Sequence, residues 1–378
     1  MLNSLDIIII TSLFLVVYTY LFYPLVITIL SKLVAIRQQN TAPADFVPSV
    51  AILCAMYNEE DVAENKIANF KSLTYPSLKM YIGSDGSSDK TNKILEKYSH
   101  DLFLSIYTFP RRGKVNVIND LIVASCEDIL VFTDANSMFQ YDAIEHLIEP
   151  FTDSTVGAVC GRLILLDVEG KSGEGFYWRF ETMLKRSESV FKCVVGGNGA
   201  IYAVRRELVQ QLPANTINDD FTVSMRIIQQ GYGMIYSDRA IATEEVGKDD
   251  SVEFRRHVRD AAGHYRAMIH LLPLLNPMHP KRFFFYFSHR VIRWFVPHLM
   301  ILLCIVPWFA LPSFVAKCVL LAEGLFYLFA AIGCLSQSKH MLFYIPYYFT
   351  HINFALMIGF IRNLMGVQKV TWDRTQRV

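Results

Sequence analysis

Residues 7–30 contain no charged side chain. A run of that length is long enough to cross a bilayer, and in hydrocarbon only a helix or a closed barrel satisfies every backbone polar group. The chain is therefore expected to be held at a membrane through residues 1–38. Asp6, rather than Lys or Arg, precedes the run and no small-residue cleavage site follows it, so it reads as a retained anchor and not a signal peptide. Lys32 and Arg37 come just after it, which by the positive-inside rule places the following domain in the cytoplasm.

The far end of the chain repeats this character. Residues 283–311 are aromatic and apolar but interrupted early by His289, Arg290 and Arg293, predicting an interfacial helix that leads into a span from about Trp294. Residues 314–335 and 341–361 are two further candidate spans, so 281–364 form a second membrane region, followed by a basic tail at 365–378. Lys317 and Glu323 within it read as helix–helix contacts. Three full crossings would carry the tail outside, whereas Arg362, Lys369, Arg374 and Arg377 argue for inside; the Pro346 segment is thus the first choice for a re-entrant or interfacial element.

Between the membrane regions the pattern changes. A polar, proline-bearing linker at residues 40–48 precedes short apolar runs, SVAILCA, LKMYIG, LFLSIY and DILVFT, separated by amphipathic stretches from about Glu59, Asp89 and Lys114. Strands alternating with helices predict βαβ units and a mostly parallel, Rossmann-like α/β domain over residues 46–275. A net charge of +1 and the lack of a basic stripe interleaved with aromatics give no argument for nucleic acid. The seven cysteines have no CxxC or Cys/His ligand spacing, so neither a disulfide framework nor a structural zinc site is implied.

The chemistry-bearing residues cluster where strands end, and in open α/β sheets ligands gather there. In ILVFTDANSMF, residues 129–139, an apolar strand stops at Asp134 and one small residue separates it from Asn136. Two oxygen ligands so spaced suit a hard divalent cation carrying phosphates, and an Asx-type turn also accounts for them. MYNEE, residues 56–60, offers backbone N–H groups and the Tyr57 ring to a nucleotide, or is a plain helix start. In SDGSSDKT, residues 84–91, Gly86 permits a tight turn and Ser87 or Ser88 with Asp89 can cap a helix, leaving Asp85 free to face a base or ribose.

Arg112 and Lys114 open a helix, against the macrodipole, and an anionic ligand or solvent exposure explains them equally. Asp219 and Asp220 begin an amphipathic helix, where acids are favoured anyway; a general base is the functional reading. Arg255, Arg256 and Arg259 recur on one helix as a diphosphate clamp or a solvated basic face.

Taken in order, these clusters resemble the membrane-bound family 2 glycosyltransferases, the group of the cellulose, hyaluronan and poly-N-acetylglucosamine synthases. The resemblance covers nearly the whole chain, from anchor to carboxyl-terminal spans. MYNEE is similar to the family's YNE loop, SDGSSDKT to DDGSxD, RRGK to RxGK, TDAN to DxD, GGNGAIYAVRR (residues 196–206) to the acceptor-side glycine loop and NDDF to the ED motif.

The resemblance implies a GT-A fold in the cytoplasmic domain of a multi-pass protein of the bacterial plasma membrane. It implies a nucleotide-sugar donor, most simply a UDP-sugar, bound by Tyr57, Glu59, Asp85, Lys114, Asp134, Arg256 and Arg259. Mg²⁺ or Mn²⁺ would sit at Asp134 and Asn136, with Gly197, Asn198 and Asp219 on the acceptor side and Asp220 as the base of an inverting transfer. The acceptor is expected to be a growing surface or exopolysaccharide, with export partners. A polyprenyl-phosphate acceptor and a non-catalytic donor-binding scaffold are the alternatives. Two departures bear on the chemistry: Asn136 replaces the second acid of DxD, and Arg256, Arg259 and Asp260 stand where QxxRW is expected, which alters the acceptor site and the expectation of processive synthesis.

Overall fold

The computed structural model describes residues 3–35, 46–166, 175–245, 250–338 and 340–370. Arg37, Arg374, Arg377 and most of the expected linker lie outside them. The chain forms two compact units: one gathers Met1–Val26, Asp249–Ile269 and Tyr286–Gln368, and the other is built mainly from Ile27–Lys248 and His270–Phe285.

Helix α1 (Ser4–Val17) opens with a capping box in which the Asn3 side chain accepts from the Asp6 amide at 2.8 Å and Asp6 accepts from the Asn3 amide at 3.2 Å. It runs through a single π-turn, Tyr18–Phe22, into α2 (Tyr23–Ala35). Together they make an apolar helix, Ser4–Val34, long enough to span a membrane.

The second unit carries one eight-stranded sheet, in the order β3-β2-β1-β4-β7-β6-β8-β5. The strands are β1 (Val50–Met56), β2 (Leu78–Asp85), β3 (Leu104–Phe109), β4 (Ile129–Thr133), β5 (Met138–Phe139), β6 (Val156–Leu166), β7 (Tyr202–Arg205) and β8 (Gly233–Glu245). The first four pair in parallel, with Met56 beside Ser84 and Cys54 beside Thr133, so β1, β2 and β4 end at one edge. From β7 onwards the sheet is mixed: β7 runs antiparallel to β4 and β6, while β6 and β8 are parallel. The mostly parallel expectation therefore holds for β1–β4, and the antiparallel β7 makes the other half mixed.

β1 and β4 are buried along their whole length, because helices cover both faces of the sheet. One face is filled by Ile52, Val131, Ile67, Ile144 and Leu147, with α3 (Ala63–Lys71) and α6 (Ala143–Ile148) above them. α5 (Lys114–Ala124) packs across β1 and β2. Each such fully buried aliphatic side chain contributes about 1.5–3 kcal/mol. The chain order turns back at β1, with β2 on one side and β4 on the other, which creates the crevice where α/β sheets bind ligands.

The short α4 (Thr91–Glu96), α7 (Phe176–Ser189) and α8 (Asp219–Gln230) complete this unit. α8 ends on Gly231, whose φ of +109° supplies the left-handed C-cap.

In the helical unit, α9 (Asp250–His270) associates with the apolar helices α11 (Ile292–Ile305), α12 (Phe314–Ser336) and α13 (Met341–Leu364). The expected boundary at residue 275 thus shifts, because α9 presents small residues to α13. A Cβ on Gly359 would come within 2.5 Å of the Ala261 Cβ and 2.8 Å of the Val258 carbonyl. The Tyr265 hydroxyl donates to the Trp294 carbonyl. Near the other helix ends, Tyr18 and Ser288 share a hydroxyl hydrogen bond of 2.8 Å, and Thr19 donates to the Ser288 carbonyl at 3.0 Å, each at a π-turn that exposes backbone oxygen.

The expected interfacial element continues without a break, from α10 (Pro280–Tyr286) through α11, as one apolar helical run, Pro280–Ala310. α13 likewise runs unbroken through Pro346, with the Thr350 hydroxyl donating back to the Pro346 carbonyl at 2.8 Å. Among the described residues four helices are long and apolar enough to cross a membrane.

Candidate active site

The loop after β1 and the loop after β2 are tied to one another. Asn58 adopts φ +53°, a conformation that Asn tolerates, and its side-chain oxygen accepts from the Ser88 amide at 2.8 Å. The Glu59 amide donates to Thr91 Oγ1 at 2.8 Å and the Glu60 amide to Asp89 at 3.1 Å. Ser87 and Ser88 thus serve Asn58 instead of capping α4, and Asp89 itself accepts from the Thr91 amide at 2.9 Å. Glu59 is buried in this lacing.

Asp85 is not free in the crevice. It is fully buried, and its oxygens accept from the Arg111 guanidinium, the Arg112 amide at 2.8 Å and the Gly113 amide at 3.0–3.1 Å. Burying a carboxylate requires such partners, and here they come from the RRGK loop, 26 residues or more away. The Arg111 guanidinium carbon lies 3.4 Å from the centroid of the Tyr57 ring, so Tyr57, Asp85 and Arg111 form one stacked, charged corner. Gly86 makes the turn possible: φ is +66°, and a Cβ there would sit 2.5 Å from the Arg111 nitrogen.

Lys114, the first residue of α5, lies at the centre of the second cluster. Its Nζ is 2.8 Å from Asp134 Oδ1 and 3.3 Å from Asp219 Oδ2. Burial opposes its charge, and Asp134 with Asp219 outweighs burial, holding the ammonium well above the ordinary lysine value. Asp134 and Asp220 converge on Gly199: a Cβ at that glycine would lie 3.0 Å from Asp134 Oδ2 and 3.8 Å from Asp220 Oδ2. Only glycine leaves this space open to a ligand.

Asp220 follows Asp219 in the first turn of α8 and accepts from the Phe221 amide at 2.7 Å. Burial pushes its carboxyl up to about 7, reinforced by the Asp219 charge and only partly relieved by Lys114. A carboxylate that changes protonation near neutrality can act as a general base there.

The glycine loop is fixed from beneath. The Gly197 amide donates to Ser224 Oγ at 3.0 Å, and Gly196 takes φ +94°. Asn198 is buried, donating to the Gly161 carbonyl at 3.0 Å and accepting from the Ile201 amide at 3.1 Å, so it shapes the loop from inside. Tyr202 stacks flat on Phe132, with ring centroids 4.7 Å apart, and floors the site.

Lys66 is a component with no sequence signal. This buried lysine on α3 donates to Thr133 Oγ1 at 2.9 Å and to the Ser137 carbonyl, bracketing the Asp134–Asn136 turn. Thr133 passes its own hydrogen to the Ala200 carbonyl at 2.9 Å, joining the turn to the glycine loop. Burial lowers Lys66 to about 8. A lysine at an inward helix position reads as apolar stem in sequence, and only the fold reveals what its ammonium meets.

Arg256 and Arg259 belong to α9, in the helical unit. Arg256 is exposed, and the Arg259 guanidinium lies 3.2 Å from Asp260.

Among the described residues no group of three or more His, Cys, Asp or Glu side chains is arranged as a self-sufficient metal site. The donor set nevertheless fits a cation bound together with its substrate. Asp134, Asp219 and Asp220 outnumber the Lys114 ammonium, and the half-exposed Asn136 amide makes no hydrogen bond among the described residues. Mg²⁺-type ions are held in this way, by one or two protein oxygens plus phosphates.

The mixed α/β sheet, with a lysine–carboxylate cluster and a stacked Tyr57–Arg111 corner at its strand ends, is of the GT-A type. Residues 51–211 match the model for glycosyl transferase family 2.

Poly-β-1,6-N-acetyl-D-glucosamine synthase of Staphylococcus aureus (strain MSSA476) is 27% identical over 247 residues, 63% of this chain and 60% of the relative. The synthase of the same name from Staphylococcus epidermidis is 25% identical over 232 residues, 59% of this chain and 56% of the relative. The match therefore spans about 60% of the length of these curated relatives. In three dimensions the chain is similar to the mannosyltransferase PcManGT from Pyrobaculum calidifontis, solved with GDP-mannose and Mn²⁺. The TM-score is 0.70 at 21% identity, over 96% of this chain and 99% of that one, a likeness of fold.

Proposed function

We propose that the chain is an inverting, divalent-cation-assisted glycosyltransferase of a cell membrane that moves a sugar from a UDP-sugar to a saccharide acceptor. The convergence of Lys114, Asp134, Asp219 and Asp220 at the strand ends carries this reading. In it, the Tyr57–Asp85–Arg111 corner receives the base and the Glu59 loop supports it. Lys114 turns from its carboxylates to the donor diphosphate. Asp134 and Asn136 would hold Mg²⁺ or Mn²⁺, which when bound supplies electrostatic stabilisation of the departing nucleoside diphosphate.

Asp220 removes the proton from an acceptor hydroxyl held against Gly197, Asn198 and Asp219. The hydroxyl oxygen bonds to the anomeric carbon as the carbon–phosphate oxygen bond breaks on the opposite side, so configuration inverts. The names of the curated relatives favour an N-acetylhexosamine donor and a polysaccharide product. Asp260, where the processive pattern has Trp, favours addition of one or a few sugars.

The test is to purify the full chain in detergent and offer UDP-N-acetylglucosamine, UDP-glucose and GDP-mannose with Mg²⁺ or Mn²⁺, following nucleoside diphosphate release. UDP release that Asp220→Asn abolishes, while nucleotide binding survives, is the expected result. Turnover in Asp220→Asn comparable to the unmodified protein removes the base assignment, and release from no donor removes the activity.

A further inference from the structure

At the opposite end of α8 from Asp220 the second unit has an open cleft of about 350 Å³, which the proposed reaction does not use. Its lining includes Thr155, Lys192, Gly231, His279, Lys281 and Arg282. Lys192 is paired with Asp153 at 2.5 Å and also reaches Thr155 Oγ1 at 3.1 Å. Lys281 is exposed and Arg282 half-buried, and among the described residues neither has a carboxylate within ion-pair distance. Arg282 instead donates to the Gln229 carbonyl at 3.2 Å and stands against Gly231, where a Cβ would lie 2.9 Å from its Nη2. That contact orients the guanidinium, so its remaining N–H groups are held at the cleft instead of sweeping solvent.

Among the described residues no acidic side chain lines the cleft. Two uncompensated cations, one of them a planar fork, with a hydroxyl and a histidine nearby, match a phosphate ester. The volume suits a headgroup-sized ligand. The position names its source: Pro280, in the same lining, begins the 31-residue apolar helix Pro280–Ala310. At 1.5 Å per residue that helix exceeds the roughly 30 Å hydrocarbon core, and the Lys281 and Arg282 charges keep its first turn, which lines the cleft, out of hydrocarbon and at headgroup level.

We infer that this cleft binds the phosphate of an anionic membrane lipid. Bound there, the headgroup ties the end of α8 to the leaflet and fixes the depth of the helix whose other end carries Asp220. The inference does not depend on the donor or acceptor of the proposed reaction, and it is read without turnover.

The experiment is native mass spectrometry of the detergent-purified full chain titrated with dioleoylphosphatidylglycerol or dioleoylphosphatidylcholine. The unmodified protein should retain phosphatidylglycerol in preference to phosphatidylcholine. Occupancy should weaken roughly fivefold in Lys281→Gln and roughly thirtyfold in Lys281→Gln/Arg282→Gln, given the usual contribution of each cation near an anionic surface. Lys281→Gln leaves the Arg282 contacts to α8 intact, so its loss of lipid separates binding from folding. Equal retention of phosphatidylglycerol by the double variant and the unmodified protein overturns the site. Displacement of the lipid by glycerol 1-phosphate at equal concentration overturns the lipid source and leaves a soluble phosphate ester as the ligand.

Discussion

Replacing Asp219 by Asn removes the charge that, after burial, does most to hold Asp220 protonated. Adjacent carboxylates about 6–7 Å apart at an effective dielectric near 20 repel by about 2.5 kcal/mol, nearly two pKa units. Solvent and salt screening at the open strand ends reduces that repulsion, so the net change is about one unit. The direction follows from the sign of the lost interaction: with less repulsion Asp220 ionises at lower pH. The rising limb of kcat/KM, near 7 in the unmodified protein, should move to about 6 in Asp219→Asn. Measured as nucleoside diphosphate release and scaled to its own plateau, the variant at about pH 6 should run roughly fivefold ahead of the unmodified protein. A limb that stays in place, or moves to higher pH, refutes the assignment of Asp220 as the ionising base and of Asp219 as the charge that tunes it.

Asp220→Asn should be inactive, losing at least roughly a hundredfold, yet more stable. A carboxyl raised from its ordinary 3.8 to about 7 destabilises the fold when ionised, a cost absent below its unfolded value and complete above about 7. Denaturation at about pH 8 should accordingly show a gain on the order of 1–3 kcal/mol, fading as pH falls through the folded value, and a loss at pH 8 contradicts this account. Asp134→Ala should abolish stimulation by Mn²⁺. Asn136→Asp should lower the Mn²⁺ concentration needed for half-maximal activity, and an unchanged requirement excludes Asn136 as a ligand. Gly86→Ala meets both a positive φ and the Arg111 backbone, so urea unfolding should show a loss of at least about 2 kcal/mol. Lys66→Met removes the clamp on the Thr133–Ser137 turn, and titration should show Mn²⁺ affinity in the presence of nucleotide falling roughly tenfold while nucleotide binding alone is kept.

Much was legible in short windows. The charge-free run at residues 7–30, the strands ending in Asp85 and Thr133, the helix opened by Lys114 and the acidic start of α8 follow from hydrophobic period, turn chemistry and chain order. Parallel strands joined by helices brought Lys114 and Asp134 to one sheet edge, whereas Asp219 and Asp220 reach it at the start of α8, beyond the antiparallel β7.

What sequence left open was the partner of each charged group. Asp85, expected to be free, is consumed by the loop at Arg111–Gly113, because a buried carboxylate takes whatever donors the chain folds over it. Lys66 found the Thr133–Ser137 turn across 67 residues of chain, and the small face of α9 found Gly359 on α13. The raised carboxyl of Asp220 is also a tertiary property, set by desolvation and by neighbours drawn from α5, β4 and α8. The sequence determined which elements form and which edge bears the chemistry, because those depend on contacts within a few residues. Only the tertiary structure decided which charges meet, how deeply they are buried and therefore which of them can exchange a proton near neutral pH.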